Sequence, residues 1–214
     1  MHKASRCAAA GLSLLVCVVF LPCARAVAFQ ATRDAQGEAL IACEVRAFDG
    51  SVDITPEAGI RVFQSGKRDS PLPVKAGTPL ALAPGYYDIH VARLRDGRVV
   101  SIRWAEHVLV TRYPGEGGRR VDVVNFKDGF GALQLAAGRQ PGGERHWRAS
   151  AFPPGNQMRE VGAASYGDGY LLLVLPAGRY DVRLTDDRSP GERWLSDVEV
   201  VADRTTVKTL EETR

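Results

Sequence analysis

Residues 176–184 read PAGRYDVRL, and residues 84–91 read PGYYDIHV. Both set Pro and Gly before a Tyr-Asp pair, and both continue with apolar residues at every second position. Proline fixes φ and lacks an N–H, while glycine tolerates conformations closed to other residues, so the pair punctuates regular structure. A period of two belongs to a strand with one face buried. Each stretch therefore reads as a turn feeding a half-buried strand. Tyr87, Ile89 and Val91 share one face of the first, and Tyr180, Val182 and Leu184 share one face of the second. Asp88 and Asp181 fall on the polar faces, the same in both copies, where a turn or a cross-strand hydrogen bond would account for them.

The likeness extends outward. Trp104 matches Trp194, Val108 and Val110 match Val198 and Val200, TPLALAPG lies over GYLLLVLPAG, and IRVFQ lies over HWRASAF. Strict alternation aligns Trp104 with Glu106, Val108 and Val110, and Trp194 with Ser196, Val198 and Val200. The intervening RDGR and DDRSPGE carry the Asp-Gly and Pro-Gly chemistry of hairpin connections. A repeat of roughly 90 residues exceeds the 20 to 50 of a solenoid unit and reads as duplication of a whole domain. Gly and Pro interrupt every window long enough for an amphipathic helix. The expected fold class is all-β: two tandem antiparallel β-sandwich domains, Ig-like or prealbumin-like, of roughly six to eight strands each. The expected bounds are 27–120 and 121–214, with the seam at Arg119 to Val121 after the glycine-rich YPGEGG.

The run Pro176-Ala177-Gly178-Arg179-Tyr180-Asp181-Val182 resembles the Pro-x-Gly-x-Tyr-x-Val corner of small prealbumin-like sandwiches: carboxypeptidase regulatory-like, Cna-B-like and PEGA-type domains. The first copy departs from it by dropping one residue between Pro84 and Gly85. The resemblance implies modules that serve as stalks, spacers, adhesive units or accessory domains without catalytic residues. A Cna-B domain can carry a Lys-Asn isopeptide bond held by a buried Glu. Lys67, Lys75, Lys127 and Lys208 sit in turn-like or polar surroundings, so no such bond is assigned.

At the amino end, His2, Lys3 and Arg6 precede an apolar run from Ala8 to Leu21, followed by Ala24-Arg25-Ala26. This is the pattern of a secretory signal peptide over residues 1–26. Its apolar run is shorter than the roughly 20 residues of a spanning helix, and no second run follows, so no transmembrane segment is expected in the mature chain. Pro22 and Leu21 beside Cys23 argue against a lipidation site. Removing this segment leaves 25 basic residues against 25 acidic ones. A net charge of zero lacks the basic excess that a nucleic-acid partner requires. Export, to the periplasm or beyond the cell, is the expected localisation. The segment also takes Cys7, Cys17 and Cys23, leaving Cys43 without an intramolecular partner. Its alternation with Ile41, Val45 and Ala47 places it in a β-core, the other reading being an intermolecular disulfide or reactive thiol.

The sequence carries no complete catalytic constellation. His90 and His107 fall on polar strand faces, matched by Arg183 and Asp197, and read as solvated; His146 has no ligand at metal-site spacing except Glu144. Ser165 lacks the Gly-x-Ser-x-Gly elbow. Asp186 and Asp187 read as turn residues, with Asp168 and Asp181 the other carboxylates considered for acid-base work. FDGSVD, KDGFG and GDGY lack the alternating oxygen ligands of a calcium loop. GEGGRR and PGGER have no following helix to cradle phosphate. No enzyme activity, metal or cofactor is therefore assigned. The aromatic residues Tyr86, Tyr113, Phe152, Tyr166 and Tyr170 escape the core-facing pattern and form the candidate binding surface. The leading expectation is a non-enzymatic module that binds a protein or glycan of the cell envelope. The alternatives are carbohydrate binding through those rings, or a small hydrolase or metal-dependent enzyme at the interdomain crevice built on His146 or His107.

Overall fold

The computed structural model describes residues 40–74, 78–111, 119–137, 147–165, 170–186 and 189–210. The expected signal segment lies outside them. Among the described residues, fourteen strands follow one another with a single short 3-10 turn at Thr55–Glu57. They are β1 (Ile41–Asp49), β2 (Val52–Asp53), β3 (Ala58–Gln64), β4 (Leu80–Leu82), β5 (Gly85–Arg95), β6 (Arg98–Val110) and β7 (Arg120–Asn125), then β8 (Phe130–Ala137), β9 (Trp147–Phe152), β10 (Gly162–Ser165), β11 (Tyr170–Pro176), β12 (Gly178–Asp186), β13 (Ser189–Val200) and β14 (Thr205–Leu210). The all-β class stands. Among the described residues no helix is long and apolar enough to cross a membrane.

The pairings repeat with the sequence. β4 runs antiparallel to β1 and β7 runs parallel to it, just as β11 runs antiparallel to β8 and β14 parallel to it. β3-β5-β6 is an antiparallel sheet, and β9-β12-β13 is its counterpart with β10 added outside β9. In the first copy a lone bridge from Leu72 to Val62 stands where β10 meets β9. Each of the two matching sets of pairings thus contains one parallel pair, which the alternation could not reveal because inward and outward positions are the same in either direction. The seam expected at Arg119 to Val121 meets the start of β7, which pairs with β1 from Cys43–Arg120 to Phe48–Asn125.

Alternation along the inner strands builds four stacked layers. Cys43, Val45 and Ala47 of β1 pack with Val62, Tyr87, Ile89 and Val91 of the β3-β5-β6 sheet. Leu133, Leu135, Leu171 and Leu173 pack in the same way with Ala149, Ala151, Val182 and Leu184 of the β9-β12-β13 sheet. Burial of each such leucine contributes roughly 1.5–3 kcal/mol. The opposite faces of the two inner sheets meet each other through Phe48, Val121, Val123, Ala132, Tyr170 and Val174. The inner sheets are therefore covered on both sides, and residues on both faces of β7 and β11 are buried. Gly131 is required where β8 passes the turn after β13, because a Cβ there would lie 2.0 Å from the Val201 carbonyl oxygen.

Candidate functional site

The repeated Tyr-Asp pair does two jobs in each copy. Tyr87 donates its hydroxyl proton to the Ala83 carbonyl at 2.9 Å, and Tyr180 donates to the Pro176 carbonyl at 2.7 Å, so each ring pins the turn that precedes its strand. Asp88 accepts the backbone N–H of His107 at 3.0 Å, and Asp181 accepts that of Asp197 at 3.1 Å. Both donors have positive φ, 54° and 56°. They are the extra residues of matching β-bulges. Glu106 and His107 together oppose Asp88, and Ser196 and Asp197 together oppose Asp181. The cross-strand hydrogen bond anticipated for the unchanged aspartate is this one.

The bulge changes which side chains face the core. Before it, Trp104 pairs with His90 on the outer face; after it, Val108 pairs with Tyr87 on the inner face. In the second copy Trp194 pairs with Arg183, and Val198 with Tyr180. The common face expected for Trp104, Val108 and Val110 is thus corrected. One inserted residue turns every later side chain over.

Each outer sheet consequently carries an aromatic group joined to a nitrogen-bearing side chain. In the first, the Trp104 ring lies 4.6 Å from the His90 ring and 5.8 Å from the Phe63 ring, with the Arg68 guanidinium 4.7 Å from its centroid. In the second, Phe152 and Trp194 are 5.5 Å apart, and the Arg183 guanidinium lies over both, at 5.2 and 5.9 Å. His90 is half-buried rather than freely solvated. Burial, with Arg61 nearby, lowers its pKa, which favours the neutral ring. Its Nδ1 has no hydrogen-bond partner.

Asp88 is the more heavily engaged of the two aspartates. It also accepts from Ser65 Oγ at 2.8 Å and Arg68 Nε at 3.0 Å, while Arg68 reaches Glu106 with a second nitrogen. The His107 N–H, then Ser65 and Arg68, hold its pKa below the usual carboxylate range against the opposing effect of burial. Asp181 has a second backbone donor, Gly155, at 3.1 Å.

A polar knot joins the two inner sheets. Glu44 is buried, pairs with Arg119 at 3.0 Å and accepts the Tyr170 hydroxyl at 3.3 Å. Burial and that carboxylate push the Tyr170 phenol up to about 12. Gln134 is buried as well, accepting the Val121 N–H at 3.0 Å and donating to the Arg119 carbonyl. Thr205 Oγ1 accepts the Val123 N–H at 3.2 Å. These bonds occupy the backbone of β7 on the side away from β1.

A cleft of about 550 Å³ opens between β6, β7 and the turn before β14. Glu106, His107, Asp122, Asp203 and Arg204 line it. Arg120 grips Asp122 through two bonds, 2.7 and 2.6 Å. Among the described residues, no three His, Cys, Asp or Glu side chains are grouped to hold a metal ion. Cys43 is buried in the first core, where burial first and Asp122 second push its thiol up to about 12.

The five aromatics expected to share a surface are distributed differently. Tyr86 is 54% exposed, but Phe152 and Tyr170 are only 3% and 4% exposed, the first in its Phe-Trp-Arg group and the second in the inner seam. Those two are corrected to packed residues. Tyr113 and Tyr166 lie outside the described residues, as do His146 and Asp168. Trp104, 40% exposed, was missed as a surface ring because alternation alone cannot locate a bulge. The signal available was Asp88, a polar residue kept in both copies.

No family model matches the chain, and no curated relative matches it. Among solved structures it is similar to the Bacillus anthracis TIE protein, at 14% identity and a TM-score of 0.29 over 80% of this chain and 34% of that one. It is similar to a candidate adhesin from Bacteroides ovatus, at 12% identity and a TM-score of 0.26 over 81% and 89% of the respective chains. A fimbrial protein from the same species gives 6% identity and a TM-score of 0.31 over 80% and 48%. The chain spans about a third of the first and half of the last. Similarities this slight assign neither family nor function.

Proposed function

We propose that the chain is a non-enzymatic exported protein of two tandem β-sandwich domains, acting as a binding, adhesive or structural accessory module of the cell envelope. One observation carries the reading. The ionisable groups that both copies share, or that lie buried between them, are engaged in holding the fold: Asp88 and Asp181 bind bulge amides, Glu44 binds Arg119 and Tyr170, and Asp122 binds Arg120. The resemblance of the Pro-x-Gly-x-Tyr corner to prealbumin-like accessory domains agrees with it. The pairing of β7 with β1 favours a division within residues 126–129 rather than at 120.

Two measurements test the reading. A reporter that is active only outside the cytoplasm, fused to the full chain, should be active and should lose activity when residues 1–26 are deleted. The purified protein should sediment saturably with isolated cell envelope. Cytoplasmic retention, or sedimentation that never saturates, would overturn it.

A second reading, glycan binding, is favoured by Trp104 and Tyr86, both exposed on the outer face of the β3-β5-β6 sheet. Indole fluorescence should then shift on titration with soluble envelope glycan, and Trp104→Ala should abolish the shift. Unchanged fluorescence would remove that reading.

A further inference from the structure

The duplication supplies an internal control for the outer faces. β5 and β6 end in a hairpin closed by Asp96 and Gly97, both at positive φ, with Arg95 directly opposite Arg98. Along its outer face His90 pairs with Trp104, Ala92 with Ile102 and Leu94 with Val99, while Val100 is the extra residue of a bulge between the last two pairs. Val99, Val100 and Ile102 are each more than half exposed. At the same distance from the matched tryptophans, the second copy pairs Thr185 with Glu192 where the first pairs Ala92 with Ile102. The fold therefore does not require apolar side chains at that place, and a clustered exposed set of them marks a surface of contact.

The other face of the hairpin carries arginine. Arg93 and Arg103 are held by Asp49 and Asp128, but among the described residues no carboxylate pairs with Arg95 or Arg98, the neighbouring Asp96 included. Like charges directly opposite each other destabilise a strand pair. An anion laid against both relieves that repulsion, and guanidinium forks match phosphate oxygens.

We infer that the tip of the β5-β6 hairpin docks on an anionic lipid surface, an inference that rests on the envelope reading and names its partner. A helix with apolar side chains on one face and cations on the other lies in the plane of a bilayer surface, its apolar face sunk roughly 5–10 Å and its cations near the phosphates. Alternation in a hairpin separates two faces in the same way. Leu94, Val99 and Ile102 supply the apolar face, and Arg95 and Arg98 the cationic one. Trp104 stands one pair further from the tip, where an indole suits the boundary between acyl chain and headgroup. Beyond it the polar cluster of Asp88, Arg68 and Glu106 ends the apolar patch. Side chains that project from a hairpin tip are covered by a fluid surface without any matching pocket.

Flotation of the exported protein, purified from outside the cytoplasm so that residues 1–26 add no apolar run of their own, tests the docking. The protein should float with vesicles of phosphatidylglycerol and phosphatidylcholine in equal parts and stay behind with phosphatidylcholine alone. Arg95→Gln and Arg98→Gln should each weaken binding about fivefold, and Ile102→Glu at least tenfold. Arg179→Gln removes the same charge from the outer face of the second copy and should weaken binding less than twofold. All four positions are exposed, so each variant should keep the parent's urea midpoint. Brominated acyl chains should quench indole emission, and Trp104→Phe should remove the quenching. Failure to float with either vesicle, equal flotation with both, an Arg179→Gln loss as large as that of Arg98→Gln, or unquenched emission would each overturn the inference. The envelope reading fails separately: a protein that sediments with isolated envelope yet ignores the vesicles keeps that reading and loses only its lipid partner.

Discussion

The two aspartates, Asp88 and Asp181, hold the same kind of bulge amide, yet their surroundings differ. Asp88 is buried and adds Ser65 and Arg68; Asp181 is half-buried and adds only the Gly155 amide. The common element is the carboxylate-to-amide bond across the strand pair, and the rest is local reinforcement. The same division runs through the neighbouring rings. Phe63 and Phe152 match, as do Trp104 and Trp194, while His90 in one copy stands where Arg183 stands in the other. Geometry is shared between the copies, and chemistry on the polar faces is free to change.

The largest effect expected from breaking this comparison lies beneath the repeated strands. Leu184→Ala should destabilise by about 2–5 kcal/mol, and its counterpart Val91→Ala by less because fewer methyl groups are lost, both measured by urea unfolding. Next comes the aspartate itself. Asp88→Ala strands the His107 amide, Ser65 and Arg68 together and should cost about 3 kcal/mol, whereas Asp181→Ala should cost about 1 kcal/mol. Equal losses would mean that the extra partners contribute nothing.

The hydroxyls offer a finer comparison. Tyr87→Phe and Tyr180→Phe each delete one bond to a turn carbonyl and should cost about 0.5–1.5 kcal/mol apiece. A difference between them beyond that range would show that the two turns depend unequally on their rings. Acid unfolding isolates Asp88. Its folded pKa lies below the unfolded value of 3.8, so its stabilisation is present above that pH and is lost as pH falls through the folded pKa. Asp88→Asn should therefore show a shallower loss of stability below about pH 4 than the parent. The smallest effect belongs to the bulge backbone. His107→Gly relieves a positive φ and should change stability by no more than about 1 kcal/mol in either direction, because the freer unfolded chain offsets the relief.

Much of this fold was legible in particular residues. Pro84-Gly85 and Pro176-Ala177-Gly178 marked the turns, and Ile89-Val91 and Val182-Leu184 marked inward faces, because turn chemistry and period-two burial are local properties of the chain. Partner direction is not local, so the parallel pairing of β7 with β1 and of β14 with β8 left no trace in the alternation. The surface was less readable still. Trp104 and Val108 are four residues apart, an even number, so alternation aligns them, and only a residue held at positive φ between them sets them on opposite faces. Tyr170 looked like a spare ring because its partner Glu44 lies 126 residues away.

The bulge gives each outer strand two reading frames. One frame writes the exposed face, ending at Trp104 or Trp194, and the other writes the core, beginning at Val108 or Val198. The spacing from Trp to Val is four in both copies, although the hairpins that precede them differ in length and composition. Straightening that interval with all its residues kept would merge the frames and drive an indole inward or a valine outward, whereas deleting the bulge residue leaves a spacing of three that plain alternation already divides between the faces. Such a straightening is a frameshift in side chains, harsher than any one exchange of letters, and lengthening the nearby hairpin carries no comparable penalty.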